Sequence, residues 1–179
     1  MTAGIDRDTI ENLLINLGRH LSKPTQLCVI GSSAALIAGQ AERQTLDIDV
    51  WNPKSDFDVG DLKRACENCG VLYDPKGEID PTALYLQVIR PGIVSLPIDF
   101  PVEALGRYGN LTLVMPPPDL IVAAKLSRGE DRDLEDAVWW ARGRGLTEHR
   151  IEAAIDQLPN DFDRETAKEN MVFIKLATK

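Results

Sequence analysis

A glycine turn and an acidic pair lie within twenty-five residues of each other, and together they constrain everything around them. Residues 27–30 are a short apolar run, the pattern of a buried strand. The run stops at Gly31-Ser32-Ser33, where Ser33 is placed to cap an Ala-rich helix predicted over 33–39. Residues 46–51 then alternate apolar and acidic side chains. Strand side chains repeat every two residues, so Asp47 and Asp49 share one face and Ile48 and Val50 the other. Two carboxylates on one face repel each other, and a hard divalent cation between them relieves the repulsion. The Gly-Ser turn offers backbone N–H groups and hydroxyls at a helix N-terminus, a seat for phosphate. The bland alternative is an exposed acidic strand after an ordinary turn.

A Gly-Ser turn opening a helix, followed by Asp-x-Asp on the next strand, resembles the nucleotidyltransferase fold of the DNA polymerase beta superfamily. The resemblance implies that Gly31, Ser32 and Ser33 hold nucleotide phosphate and that Asp47 and Asp49 hold Mg²⁺ (or Mn²⁺). The fold expected is α/β: a mixed sheet flanked by helices, with a helical C-terminal part. Residues 1–116 are expected to form the core with an N-terminal helix, and 117–179 the helical region packed on it.

Composition narrows the class. A chain of 179 residues with 44% apolar content is globular. No apolar run approaches a membrane span, and the first residues lack the basic-then-apolar pattern of a signal peptide, so the expectation is cytoplasmic, with no membrane partner. The formal net charge of −8 disfavours broad electrostatic binding to nucleic acid and leaves room for a basic protein partner. Of three cysteines, Cys66 and Cys69 form a lone C-x-x-C with no second pair, too few ligands for structural zinc.

In chain order, Asp8 and Glu11 suggest an acidic capping box. Ile10, Leu13, Leu14, Leu17 and Leu21 mark one helix face, which Pro24 ends. Arg43, in the connection to the acidic strand, faces either a triphosphate or solvent. A helix is predicted over 58–68, with Asp61 exposed or near its N-terminus, then strands over 84–90 and 93–100. The second of these carries Asp99. In the resembled superfamily a third carboxylate completes the metal site or acts as base, and Asp99 is the candidate; the alternative is an N-cap for a short helix over 101–105. A strand over 111–115 is followed by Pro116-Pro117-Pro118 and four predicted helices.

Lys125 is the one cation on a strongly apolar helix and needs an anionic partner if buried. A triphosphate, Asp133 or Asp136 would each serve. Lys125 followed by Arg132-Asp133 and Asp136 resembles the nucleotidyltransferase toxins of abortive-infection and toxin–antitoxin systems. That resemblance implies phosphate binding by Lys125 and a catalytic requirement for Asp133. The function implied is Mg²⁺-dependent transfer of a nucleoside monophosphate from an NTP to an acceptor hydroxyl on RNA or tRNA, protein or a small molecule, with an antitoxin as a further partner. The alternative is a non-catalytic nucleotide-binding or interaction module on the same fold.

Overall fold

The computed structural model describes residues 4–178, which divide into two compact units. The first runs to Arg90 and resumes at Val102–Met115. It contains α1 (Arg7–His20), β1 (Thr25–Ile30), α2 (Gly31–Ile37), β2 (Asp47–Trp51), α3 (Val59–Asn68), β3 (Leu72–Tyr73), β4 (Tyr85–Ile89), β5 (Glu103–Tyr108) and β6 (Leu111–Met115). The strands form one mixed sheet in the order β3-β4-β2-β1-β6-β5. β1 lies antiparallel to β2 and parallel to β6, and β2 lies parallel to β4. The α/β reading is therefore correct.

Period-two alternation decides the two faces. Leu27, Val29, Ile48, Val50, Leu86, Val88, Leu111 and Leu113 join Ile10, Leu13, Leu14 and Leu17 of α1 and Leu62, Ala65 and Cys66 of α3 in one core. Asp47, Asp49, Tyr85 and Gln87 occupy the alternate positions on β2 and β4. The α1 cap is Asp6, whose carboxylate accepts from the Thr9 N–H at 2.9 Å; it replaces the expected Asp8–Glu11 box. The acid two residues earlier already satisfies the orphan donor.

Of the two places the sequence leaves open for Asp61, exposed or near the helix N-terminus, the second holds: it lies in the first turn of α3 and is buried at 3% exposure. Its carboxylate accepts from the Ser22 hydroxyl at 2.7 Å, from the N–H groups of Ser22 and Lys23, each at 3.0 Å, and from Arg64. The Ser22 hydrogen bond is the largest cause holding its pKa down to about 2, from an ordinary 3.8. A folded value below the unfolded one means that Asp61 stabilises the protein above about pH 4, and that this contribution disappears as pH falls toward 2. In urea melts, Asp61→Asn is expected to be less stable than wild type at neutral pH, with a smaller further loss between pH 4 and pH 2. Parallel pH profiles for the two proteins would refute this.

Two expectations between the sheet strands fail together. Residues 93–100 form no strand; Pro91 and Val94 make an isolated bridge and the rest of the segment is irregular. Pro91, Pro97 and Pro101 supply no ladder N–H, which removes the donors a strand here would need. Nor does a helix follow at 101–105: Glu103–Tyr108 is β5, paired antiparallel with β6, Tyr108 opposite Leu111. The intervening Gly109-Asn110 is a two-residue hairpin turn, with Gly109 at φ 58°. That turn fixes the pairing over any local helical tendency.

The second unit comprises Pro91–Pro101 and the chain from Pro116 onward. Its helices are α4 (Pro118–Arg128), α5 (Asp131–Gly143), α6 (Glu148–Ile155) and α7 (Asp161–Ala177). Pro118 sits at the first position of α4, where its missing N–H costs nothing. α4 is buried on all sides from Leu120 to Ser127 and packs against α5, α6 and α7. Gly129, at φ 67°, ends α4 by donating its N–H to the Lys125 carbonyl, and the Asn170 amide of α7 donates to Leu126 O at 2.8 Å. Among the described residues no helix is long and apolar enough to cross a membrane.

Candidate functional site

Ile30, the last residue of β1, is in register with Asp49 of β2. The chain therefore leaves β1 alongside the Asp49 carboxylate. Gly31 makes the departure at φ 70°, in the left-handed region that glycine enters without a Cβ clash. A Cβ there would stand 2.9 Å from Asp49 Oδ2. The turn and the acid, read separately along the sequence, come close together, and a side chain on Gly31 would press against the Asp49 carboxylate.

The helix starts two residues earlier than predicted. Ile30 is its N-cap, with no side-chain capping bond, so Ser33 is not the cap. Ser33 is buried, and its hydroxyl donates to the Ile30 carbonyl at 3.1 Å, fastening the turn from inside. Ser32 is half-buried. At seven residues α2 adds little macrodipole, which leaves the Gly31-Ser32 backbone and the Ser32 hydroxyl as the polar groups of the turn.

Asp47 and Asp49 are half-buried and flank buried Ile48, the alternation the sequence predicts. Two residues that sequence reasoning missed hold Asp47. The Thr45 hydroxyl donates to Asp47 Oδ1 at 2.5 Å, and the Tyr85 hydroxyl lies 3.4 Å from Asp47 Oδ2. Tyr85 is opposite Asp47 and Gln87 opposite Asp49 in the parallel β2–β4 pair. Burial, then the negative charges of Asp47 and Asp49, push the Tyr85 phenol upward, so it remains a proton donor to the acidic face. Thr45 was legible as a neighbour two residues away; Tyr85 was not, because strand register between distant segments leaves no local signal.

The acid pair fits a divalent ion of the Mg²⁺ kind. Two carboxylates on one face offer hard oxygen ligands, and Asp49 lies beside the backbone of the Gly31 turn. Among the described residues no group of three or more His, Cys, Asp or Glu is assembled to hold a metal on its own. An ion bound by one or two carboxylates takes its remaining ligands from substrate phosphate and water. Arg43 is half-buried in the loop before β2, its N–H donating to Gln40 O at 3.1 Å. Asp99 is exposed in the irregular Pro91–Pro101 segment and caps no helix, since β5 follows it.

In the second unit, Lys125 is buried with its side chain 10% exposed. Its Nζ lies 2.8 Å from Asp136 Oδ2 and 3.5 Å from Asp133 Oδ1. Arg128 Nε reaches Asp133 Oδ2 at 3.2 Å. Of the partners the sequence left open, both aspartates are thus present, with Asp136 the nearer. Gly129 turns the chain sharply enough for α5 to lay Asp133 and Asp136 beside α4.

The cysteines take no part. All three are free; burial pushes the thiols of Cys28 and Cys66 up to about 12, so they stay protonated, and Cys69 caps the end of α3.

A family model described as "Nucleotidyltransferase of unknown function (DUF6036)" matches residues 9–139, well over half of the chain. The matched span takes in the Gly31 turn, Asp47, Asp49, Asp99, Lys125 and Asp133. No curated protein and no solved structure matches the chain.

Proposed function

Because the chain belongs to the DUF6036 family of nucleotidyltransferases, we propose that it transfers a nucleoside monophosphate from an NTP to an acceptor hydroxyl, with Mg²⁺ or Mn²⁺ held by Asp47 and Asp49. The observation that supports this reading is the closeness of the Gly31 turn to the Asp49 carboxylate, where a Cβ on Gly31 would stand 2.9 Å from Oδ2. When bound, the ion supplies a lowered pKa for the attacking hydroxyl and neutralises charge on the leaving group.

The chain's own residues divide the remaining work. Gly31 and Ser32 donate backbone N–H groups and a hydroxyl to phosphate oxygens, and Ser33 keeps that turn in shape from within. Thr45 and Tyr85 fix the Asp47 carboxylate, so it does not reorganise when substrate arrives. Arg43 contributes positive charge toward the triphosphate. The acceptor oxygen attacks the α-phosphorus in line, a new P–O bond forms, and the bond to the β-phosphate oxygen breaks to release pyrophosphate. We assign Asp99 as the base that takes the hydroxyl proton, or as a third ligand recruited with the nucleotide. Lys125 is assigned to the phosphates, with Asp133 positioning it. The acceptor classes are RNA, tRNA in particular, protein and small molecules. The resemblance of the Lys125 and Arg132-Asp133 segment extends the reading to the toxin of a toxin–antitoxin pair acting in the cytoplasm.

The test is label transfer. Purified protein is incubated with Mg²⁺ and each of the four α-labelled NTPs, with total cellular RNA and protein as acceptors. The expected result is label on one acceptor class from a preferred NTP, abolished by chelation. Tight NTP binding with no transfer to any acceptor, including small hydroxyl compounds, would favour a non-catalytic module instead.

A further inference from the structure

α7 has two unlike faces. Ala167, Met171 and Ile174 are buried, while Phe162, Phe173 and Leu176 are 75%, 42% and 67% exposed. At 100° per residue, Phe162, Glu169, Phe173 and Leu176 fall within a sector of about 60°. Beside it α5 presents Leu134 and Val138, and the two helices border an open, shallow groove of about 650 Å³. It is lined by the apolar Leu134, Val138, Phe173, Leu176 and Ala177 and by the acids Asp131 and Glu135. An apolar cluster of this kind on a surface otherwise rich in charge marks a contact site.

The charges around the groove state what the contact must bring. Asp131, Glu135 and Glu169 are exposed, and none is held in an ion pair among the described residues. The basic side chains of α7 are paired away from the groove, Arg164 with Asp161, Lys168 with Asp156 at 2.9 Å and Lys175 with Glu148 at 3.7 Å. A second copy of the chain, with net charge −8, would set acids against acids. A basic partner meets both needs. From Phe162 to Leu176 the exposed stripe is about 21 Å long, matching about four turns of helix.

We propose that the α5–α7 groove is the docking site for a basic amphipathic helix of a partner protein. Its apolar residues, spaced i, i+3/i+4, i+7, lie on Leu134, Val138, Phe173 and Leu176, and its Lys and Arg side chains meet Asp131, Glu135 and Glu169. The proposal is independent of the transfer reaction, because it uses no residue assigned to that site.

Fluorescence anisotropy on the full chain tests it, with three labelled synthetic peptides as probes: a basic amphipathic helix, a scrambled peptide of the same composition, and the helix with Glu replacing Lys and Arg. Binding of the first alone is expected, weakened about tenfold or more by Phe173→Asp and by Glu135→Lys and reduced by added salt. Both positions are exposed, so circular dichroism should show both variants folded. Equal binding of the scrambled peptide, or an unaffected Phe173→Asp variant, overturns the proposal. So does a concentration-dependent dimer that Phe173→Asp dissolves, since a second copy then fills the groove.

Discussion

Asp49→Asn is expected to abolish nucleotidyl transfer and leave the protein folded. Asp49 is half-buried, so the amide is tolerated sterically, while one negative charge of the pair proposed to hold the metal is lost. A metal that stabilises developing charge supplies several kcal/mol at the transition state, so the expected fall is about a thousandfold, about 4 kcal/mol. Calorimetry should show weaker Mg²⁺ binding in the presence of NTP and an unchanged melting temperature. Gly31→Ala probes the same contact from the other side. Its Cβ would meet Asp49 Oδ2 at 2.9 Å, at a φ of 70° that alanine adopts at a cost of about 1–2 kcal/mol. It should lose most activity with both carboxylates intact. Full transfer by Asp49→Asn would remove the acid pair from the mechanism, whatever the acceptor.

Lys125→Ala is expected to lower stability by roughly 3–5 kcal/mol, the range seen when one partner of a buried ion pair is removed. Without the ammonium, Asp133 and Asp136 are left as buried neighbouring carboxylates that have lost the cation between them, while Arg128 still reaches Asp133. In a chain of this size that is a fall of roughly 6–20 °C in melting temperature. Replacing all three as Lys125→Met, Asp133→Asn, Asp136→Asn should recover much of the loss, because desolvation of the ions disappears with their attraction. The phosphate role is separable. NTP affinity, measured below the variant's melting temperature, should also drop if Lys125 contacts the triphosphate. A lower melting temperature with unchanged affinity would leave Lys125 a structural ion and withdraw it from the nucleotide site. An unchanged melting temperature would contradict the ion pair.

Much of the sheet was legible locally. The α1 stripe and the alternation placing Asp47 and Asp49 on one face depend on contacts a few residues apart, and both appear as the sequence implies. Asp61 lies near the α3 N-terminus, one of its two readings, but its burial was not legible, because its partners Ser22 and Lys23 are distant in sequence and carry no helical signal. The β5 strand was misread for a different reason. Gly109-Asn110 is a local hairpin cue, but a short helical pattern over 101–105 competed with it, and pairing with β6 decided between them.

The sequence by itself determined the chemical groups available: two acids at alternate strand positions, a glycine able to take a positive φ, and a buried cation that must find an anion. These follow from backbone periodicity, steric freedom and the cost of desolvating charge. Only the tertiary structure decided which groups meet. Antiparallel pairing of β1 with β2 brings Gly31 against Asp49, parallel pairing of β2 with β4 brings Tyr85 to Asp47, and packing of α5 on α4 gives Lys125 its closest anion in Asp136. Register and helix packing arise from whole buried faces fitting together, and no single segment carries that information.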